Sequence, residues 1–391
     1  MRHKAIRFII YLAILLLPLY LIRFKIGWIP FNISEIMIYL LFVVWLVTLE
    51  FKLKVRLGDK SWLYPVLLIF FGLTLSTLVS SDLSISAGIW KGWFLAPLMF
   101  SLVVVNSIEN KGQIRNIFSF LTLSGVVVSL IALFYYFTND LTYDNRLRAF
   151  YLSPNHLSMY LSPILILSFY LYSSCKKNIY KTLLFFAQFL ILMVIYLTYS
   201  YGAWLALLAT LFFVLFFAKN KKKLLSVVSF FILILILFCI FQIGNQKFQG
   251  IFDLSYPAFG SRIVIWQSAW EIIKDYPMLG IGPGMFQKYY LDYQVMFEPY
   301  PEWAVPQPHN LFLAFWLQTG LLGLIGFIWL IIKFFRTSFL KKQDPLFMIL
   351  LAVMVYILVH GLIDTPVWKN DLAILFGLTI SLCYRADRLS D

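Results

Sequence analysis

The chain has 391 residues, of which 61% are hydrophobic, 19% aromatic and only 13% charged. A soluble globular domain carries about 25% charged and about 45–50% apolar residues, and a single core stops growing at roughly 250–300 residues. A mean hydropathy of +0.84 therefore excludes a water-soluble enzyme, a disordered chain and a secreted disulfide scaffold. The formal charge of +14 would suit nucleic acid, but its distribution assigns it to membrane topology. The three cysteines, Cys175, Cys239 and Cys383, have neither metal nor redox spacing.

A bilayer core takes a helix of about 20 apolar residues. In chain order the apolar runs predict spans over 8–23, 33–50, 63–80, 88–106, 115–137, 155–173, 181–199, 202–218, 224–242, 309–334, 346–363 and 370–384. The expected fold class is an all-α integral membrane protein of about 12 transmembrane helices, a single polytopic domain over 1–391. The run 181–218 is broken only at Tyr199-Ser200-Tyr201-Gly202, which reads as a tight hairpin between two spans. The short alternating segments of a β-barrel are absent.

Basic residues favour cytoplasmic loops. With the N-terminus inside, the inner segments hold most of the Lys and Arg: Arg2, Lys4 and Arg7, then Lys52, Lys54, Arg56 and Lys60, then the clusters around Lys111, Lys176, Lys221, Lys341 and Arg385. Both termini are thus expected in the cytoplasm of a bacterium whose inner membrane the chain crosses. The first span resembles a signal peptide, but no small-residue cleavage site follows, so an uncleaved anchor is expected.

Residues 243–308 form an expected extracytoplasmic loop, far longer than the usual 2–8 residues between helices. It is rich in Trp, Tyr, Phe and Pro, which argues against disorder. Residues 262–276 read as an amphipathic helix with Ile263, Trp266, Trp270 and Ile273 on one face, stopped by Pro277 and by Gly280, Gly282 and Gly284. Gly282-Pro283-Gly284 is read as a tight turn rather than a phosphate cradle.

Ionisable residues inside a membrane are costly and point to function. Glu35, Lys91, His156, His309, His360, Asp364 and Asp371 all fall at the expected outer ends of spans, and external loops add Arg146, Arg148 and Arg262. This gathers the polar chemistry at the outer leaflet and leaves no ionisable path at mid-depth for proton transport. No metal-binding motif, P-loop or GxSxG is present.

Several segments then resemble one family. Gly260-Ser261-Arg262 through Trp266, Asp275-Tyr276-Pro277-Met278-Leu279-Gly280-Ile281-Gly282-Pro283-Gly284-Met285-Phe286, and Pro308-His309-Asn310-Leu311-Phe312-Leu313 followed by Gln318-Thr319-Gly320-Leu321-Leu322-Gly323 look like the signature of the O-antigen ligase/polymerase superfamily. Arg148-Ala149-Phe150 through Ser153-Pro154-Asn155-His156 resembles its Arg-then-Pro-Asn stretch. Thr198-Tyr199-Ser200-Tyr201-Gly202-Ala203-Trp204 is similar to its Ser-Arg-Gly-Ala hairpin, with Tyr201 standing where the family usually has Arg.

The resemblance implies metal-independent transfer, without a cofactor, of an undecaprenyl-diphosphate-linked glycan to an acceptor hydroxyl on a glycan, lipid or wall polymer. His309 and Arg262 are the expected catalytic residues. Arg146, Arg148, Lys91, Tyr201, Asn310 and Trp266 are the expected substrate-binding ones, with an arginine or Lys91 compensating for the missing hairpin Arg. Each has a plainer reading: a solvated charge for Arg262, Arg146 and Arg148, a snorkelling Lys91, a helix-capping His309, and an interfacial belt for the loop aromatics. A lipid-linked oligosaccharide flippase would predict repeated halves and a polar path at mid-membrane, and neither is visible. A non-catalytic family member is supported only by Tyr201.

Overall fold

A computed structural model describes residues 2–27, 29–48, 59–217, 257–298, 302 and 304–389. Fourteen α-helices are described: α1 (Arg2–Leu15), α2 (Ile33–Thr48), α3 (Lys60–Leu78), α4 (Leu83–Ile89), α5 (Ala96–Ser107), α6 (Lys111–Phe137), α7 (Pro154–Ser174), α8 (Asn178–Leu197), α9 (Tyr201–Phe216), α10 (Pro257–Asp275), α11 (Phe286–Tyr293), α12 (Leu311–Leu340), α13 (Pro345–Gly361) and α14 (Asn370–Arg388). Among the described residues, six segments are long and apolar enough to cross a membrane: α3, α4 continued through α5, α6, α7, α8 and α12. Helices α2, α9 and α13 are apolar but shorter. This is the make-up of an all-α membrane protein. A helix underlies each expected span except 224–242, which lies outside the described residues, as does the start of the loop expected from residue 243.

The first span departs from expectation. Helix α1 stops at Leu15, Pro18 sits in a 3-10 turn over Leu17–Leu21, and the chain then forms an antiparallel ribbon, β1 (Arg23–Ile26) with β2 (Ile29–Asn32). Proline ends the helix because it lacks an N–H and clashes with the preceding turn. The expected hairpin at 199–202 is present: α8 ends at Leu197, Tyr199 turns at φ 46°, and α9 begins at Tyr201.

Helix α7 is the central post. It packs against α6, α8 and α13, and nearly all of its first five turns are buried. Helix α14 packs on α5, and α13 on α9. Helices α3 and α12 approach backbone to backbone. A Cβ on Gly72 would lie 2.6 Å from the Thr319 carbonyl oxygen, and one on Gly326 would lie 2.8 Å from the Pro65 carbonyl oxygen. Small residues allow this closeness, which replaces the hydrophobic drive that lipid removes.

Two of the motif segments form one structural unit. Helix α12 is interrupted at Gly320, which adopts φ 69°. The break frees the Leu317 carbonyl, which accepts from Ile281 N at 2.7 Å, and Leu321 N donates to the Met278 carbonyl at 3.0 Å. Gln318 Oε1 accepts from Gly284 N at 2.9 Å, and Ser76 Oγ from Gly282 N at 3.1 Å. The Pro277–Gly284 turn is therefore stitched into a gap in the bundle.

Helix α10 forms as expected, and it buries a stripe that overlaps the expected apolar face only at Ile273. Its buried stripe is Ser261, Val264, Ile265, Ser268, Ala269, Ile272 and Ile273, a regular three-and-four spacing. Ile263 and Trp270 lie outside this stripe, 40% and 48% exposed. The helix packs with α11 around Met285, Phe286 and Tyr290 and against Leu317, so the smaller residues turn inward and the tryptophan is left at the edge, against Trp316.

Because neighbouring helices run in opposite directions, the charged pairs sort to two ends. Arg7–Glu109 (2.9 Å), Lys111–Asp344 (2.6 Å) and Lys341–Asp387 (2.8 Å) lie at one end. Lys91–Glu35 (2.7 Å), His156–Asp371 (3.1 Å) and His309–Asp364 (3.1 Å) lie at the other.

Candidate active site

The site is built on His309, at the head of α12. Its backbone is at φ 45°, a left-handed conformation that a residue with a Cβ adopts only at a cost of about 1–2 kcal/mol. Four hydrogen bonds hold it there. Asn310 Oδ1 accepts from Phe312 N (3.0 Å) and Leu313 N (3.1 Å), capping α12. Asn310 Nδ2 donates to the Leu362 carbonyl at 3.0 Å, and Trp266 Nε1 donates to the His309 carbonyl at 3.3 Å. Asn310 and Trp266, expected from the sequence to bind substrate, thus both use their side-chain N–H groups to fix His309.

The His309 ring meets the loop between α13 and α14. Its Nδ1 lies 3.1 Å from Asp364 Oδ1, and the Thr365 N–H donates to the same oxygen at 2.9 Å. With Nδ1 donating to the carboxylate, Nε2 keeps its lone pair for an acceptor proton. The other Asp364 oxygen, Oδ2, accepts from Asn155 Nδ2 at 2.9 Å. Asp364 is only 4% exposed. Burial alone would raise its pKa, but the charge and hydrogen bond of His309, with the charges of His360 and Arg262, outweigh it and hold the carboxyl below the ordinary range. The carboxylate is therefore a fixed negative charge behind the imidazole.

Arg262 stands on α10, half-buried, near enough for its charge to act on Asp364, His360 and Arg146. Among the described residues no hydrogen bond or ion pair occupies its guanidinium. Arg146 is more committed. Its Nε donates to the Thr198 carbonyl at 2.9 Å, its Nη2 to Asn155 Oδ1 at 2.7 Å, and its Nη1 lies 3.7 Å from Asp144. Burial lowers the Arg146 pKa, against Asp144 and Tyr201, which raise it. Arg146 thus leans on the Thr198–Tyr201 hairpin, beside Tyr201.

The remaining expected residues divide. Tyr201 opens α9 within electrostatic reach of Arg146. Arg148 is exposed in the turn before α7. Lys91 is drawn elsewhere: its Nζ donates to Glu35 (2.7 Å) and to the Pro30 carbonyl (2.7 Å) beside the Phe31 ring. Glu35 also accepts from Asn370 at 2.9 Å. Among the described residues no contact joins Lys91 to the His309 group. Among the described residues no three His, Cys, Asp or Glu side chains come together to hold a metal.

Asp364 and Asn155 are the site residues to which sequence reasoning gave no role, although Asp364 stood among the ionisable residues at the outer span ends. Asp364 carried a signal, a carboxylate four residues beyond His360 at the end of an apolar helix. Asn155 lay inside a quoted motif, but nothing in one sequence says that α7 brings it beneath the α13–α14 loop.

The architecture is that of a polytopic membrane protein with a histidine–carboxylate pair and arginines gathered at one end of its helices. A family model described as O-Antigen ligase matches residues 186–328, which include the hairpin, Arg262 and His309. The chain is also 28% identical, over 325 residues, to an O-antigen ligase of Salmonella typhimurium, covering 74% of each chain. The chain is thus similar to O-antigen ligases over the stretch that carries the hairpin, Arg262 and His309.

Proposed function

We propose that this protein transfers an undecaprenyl-diphosphate-linked glycan to an acceptor hydroxyl at the outer face of the bacterial cytoplasmic membrane. The acceptor is a second glycan, a lipid or a wall polymer. The observation that carries this reading is the His309–Asp364 pair with the Arg262 charge acting on its carboxylate. In the step, the acceptor oxygen bonds to the anomeric carbon and its proton passes to His309 Nε2. The bond from the anomeric carbon to the phosphate oxygen breaks, and undecaprenyl diphosphate leaves with the electron pair. Asp364 holds the ring and stabilises the imidazolium. Arg262 meets the charge that develops on the leaving diphosphate, and its planar fork suits two phosphate oxygens. Arg146 contributes the second positive charge beside Tyr201. Arginine supplies the positive charge in this scheme, so it requires no metal.

An apolar cavity of about 490 Å3, which none of His309, Asp364 and Arg262 lines, runs from the His309 end of the helices to Trp62 and Tyr384 and offers room for the lipid chain of the donor. Phe315, one and a half turns beyond His309, and Val367, three residues beyond Asp364, line it together with Phe94 and Phe376. This reading carries twelve spans in one polytopic domain, both termini in the cytoplasm, and the 243–308 loop outside. Its test is His309→Ala, which abolishes glycan transfer in cells while the protein still inserts at normal levels. Full activity in that variant removes the base from the scheme.

A further inference from the structure

We propose that Asn155 is a positioning residue that ties Arg146 to the carboxylate holding His309, so that the cation and the base of the site are set by one amide. The bridge runs in a single line: Arg146 Nη2 to Asn155 Oδ1 at 2.7 Å, Asn155 Nδ2 to Asp364 Oδ2 at 2.9 Å, and Asp364 Oδ1 to His309 Nδ1 at 3.1 Å. The chemistry of the two ends dictates the residue between them. A guanidinium only donates and an ionised carboxylate only accepts, so the bridging group must accept on one side and donate on the other. An asparagine amide does both and is neutral. Its O and N are assigned by the same logic, because the flipped amide would oppose donor to donor and acceptor to acceptor.

The residue is placed rigidly enough for this task. Pro154 and Asn155 open α7, the Ser153 hydroxyl caps the helix by accepting from His156 N at 3.2 Å, and the Asn155 carbonyl accepts from Ser158 Oγ at 2.8 Å. One residue on, the buried His156 ring is fixed by Asp371 at 3.1 Å. Asn155 thus holds Arg146 and Asp364 at a fixed separation through its two side-chain hydrogen bonds. The charged and titratable groups facing the His309–Asp364 pair are Arg262 from α10, His360 and Tyr356 from α13, Lys369 before α14, and Arg146 and Tyr201 through the bridge.

This inference rests on His309 as the acceptor-activating group, so its test reads the imidazole directly as well as through turnover. Full-length wild-type, Asn155→Ala and Asn155→Asp proteins in nanodiscs are carbethoxylated with diethylpyrocarbonate across a pH series, and modification of His309 is followed by peptide mass. Only the unprotonated ring reacts. Asn155→Asp keeps an acceptor for Arg146 but sets a second carboxylate against Asp364, which favours the protonated ring. It should move the midpoint of His309 reactivity upward by about one pH unit, since a nearby opposite charge shifts a titration by about 1–3 units and this one acts through Asp364. In donor-transfer assays Asn155→Ala should lower kcat at least tenfold with donor KM within threefold. The acid limb of the Asn155→Asp activity profile should move with the midpoint. An unchanged midpoint in Asn155→Asp overturns the bridge, as does a fall in activity with no movement of the pH profile. A shifted midpoint in a protein with no transfer activity would retain the bridge and reject the transferase reading.

Discussion

Asp364→Asn isolates the role of the carboxylate with the least change of shape. The side chain keeps its volume, and its carbonyl oxygen can still accept from the His309 ring. The lost quantity is the charge behind an imidazole 3.1 Å away, in a residue only 4% exposed. A hydrogen bond to a charged group contributes about 1.5–3 kcal/mol, and about 1.4 kcal/mol is tenfold in rate. The variant should therefore lose about ten- to a hundredfold in turnover, with donor KM nearly unchanged. His309→Ala should lose more, and the double variant should be no worse than His309→Ala alone, because the two groups act as a unit. The assay is glycan transfer by purified protein in nanodiscs. Multiplying losses in the double variant would show that Asp364 acts independently of His309 and would refute the pair. A second reading of the same variant comes from stability. The Asp364 pKa is lowered in the folded protein, so its stabilisation is complete above the ordinary carboxylate pKa of about 4 and fades as pH falls toward the depressed value. The gap in Tm between wild type and Asp364→Asn should accordingly be widest at neutral pH and shrink in acid.

Four further outcomes follow from the structure. Arg262→Lys should fail to recover what Arg262→Ala loses, because Lys keeps the charge without the fork; full recovery in a transfer assay would show that a point charge suffices. Arg146→Ala should lower turnover, and Tyr201→Arg should partly restore it from the adjacent hairpin; normal turnover in Arg146→Ala would exclude compensation by that residue. Gly320→Ala should lower Tm, by the equivalent of more than about 1 kcal/mol for the left-handed backbone, since its Cβ would also lie 2.5 Å from the Met278 carbonyl; an unchanged Tm would mean that the break in α12 is not needed to seat the Pro277–Gly284 turn. A cysteine in place of Val295 should react with an impermeant thiol reagent in intact cells once any outer membrane is permeable; labelling only after the inner membrane is breached would invert the topology.

Much of the architecture was legible because lipid imposes one simple rule, a long apolar run for each helix. The hairpin at Tyr199–Tyr201 and the stop at Pro277 followed from breaker residues alone. The early end of α1 was carried by Pro18, which the hydropathy of 8–23 overrode. The sequence showed an apolar face on α10 but not the second, smaller-residue face that packs on α11 and α12, where Ala269 and Ser268 are buried and Trp270 is left at the edge. At the site, His309 and Arg262 stood out by residue type and motif. The engagement of Lys91 by Glu35, separated by 56 positions, and the bridge from Asn155 to Asp364, separated by 209, were not legible. Such contacts depend on which helices are neighbours, and a single hydropathy pattern leaves that open.

The central claim is that one end of this helical bundle exchanges a lipid diphosphate for an acceptor oxygen at His309. The most direct measurement follows purified protein in nanodiscs with an undecaprenyl-diphosphate-linked glycan, quantifying released undecaprenyl diphosphate and glycan joined to an added acceptor. The account predicts equal amounts of the two from the wild type and neither from His309→Ala. Release without joining, or transfer undiminished in His309→Ala, would contradict it.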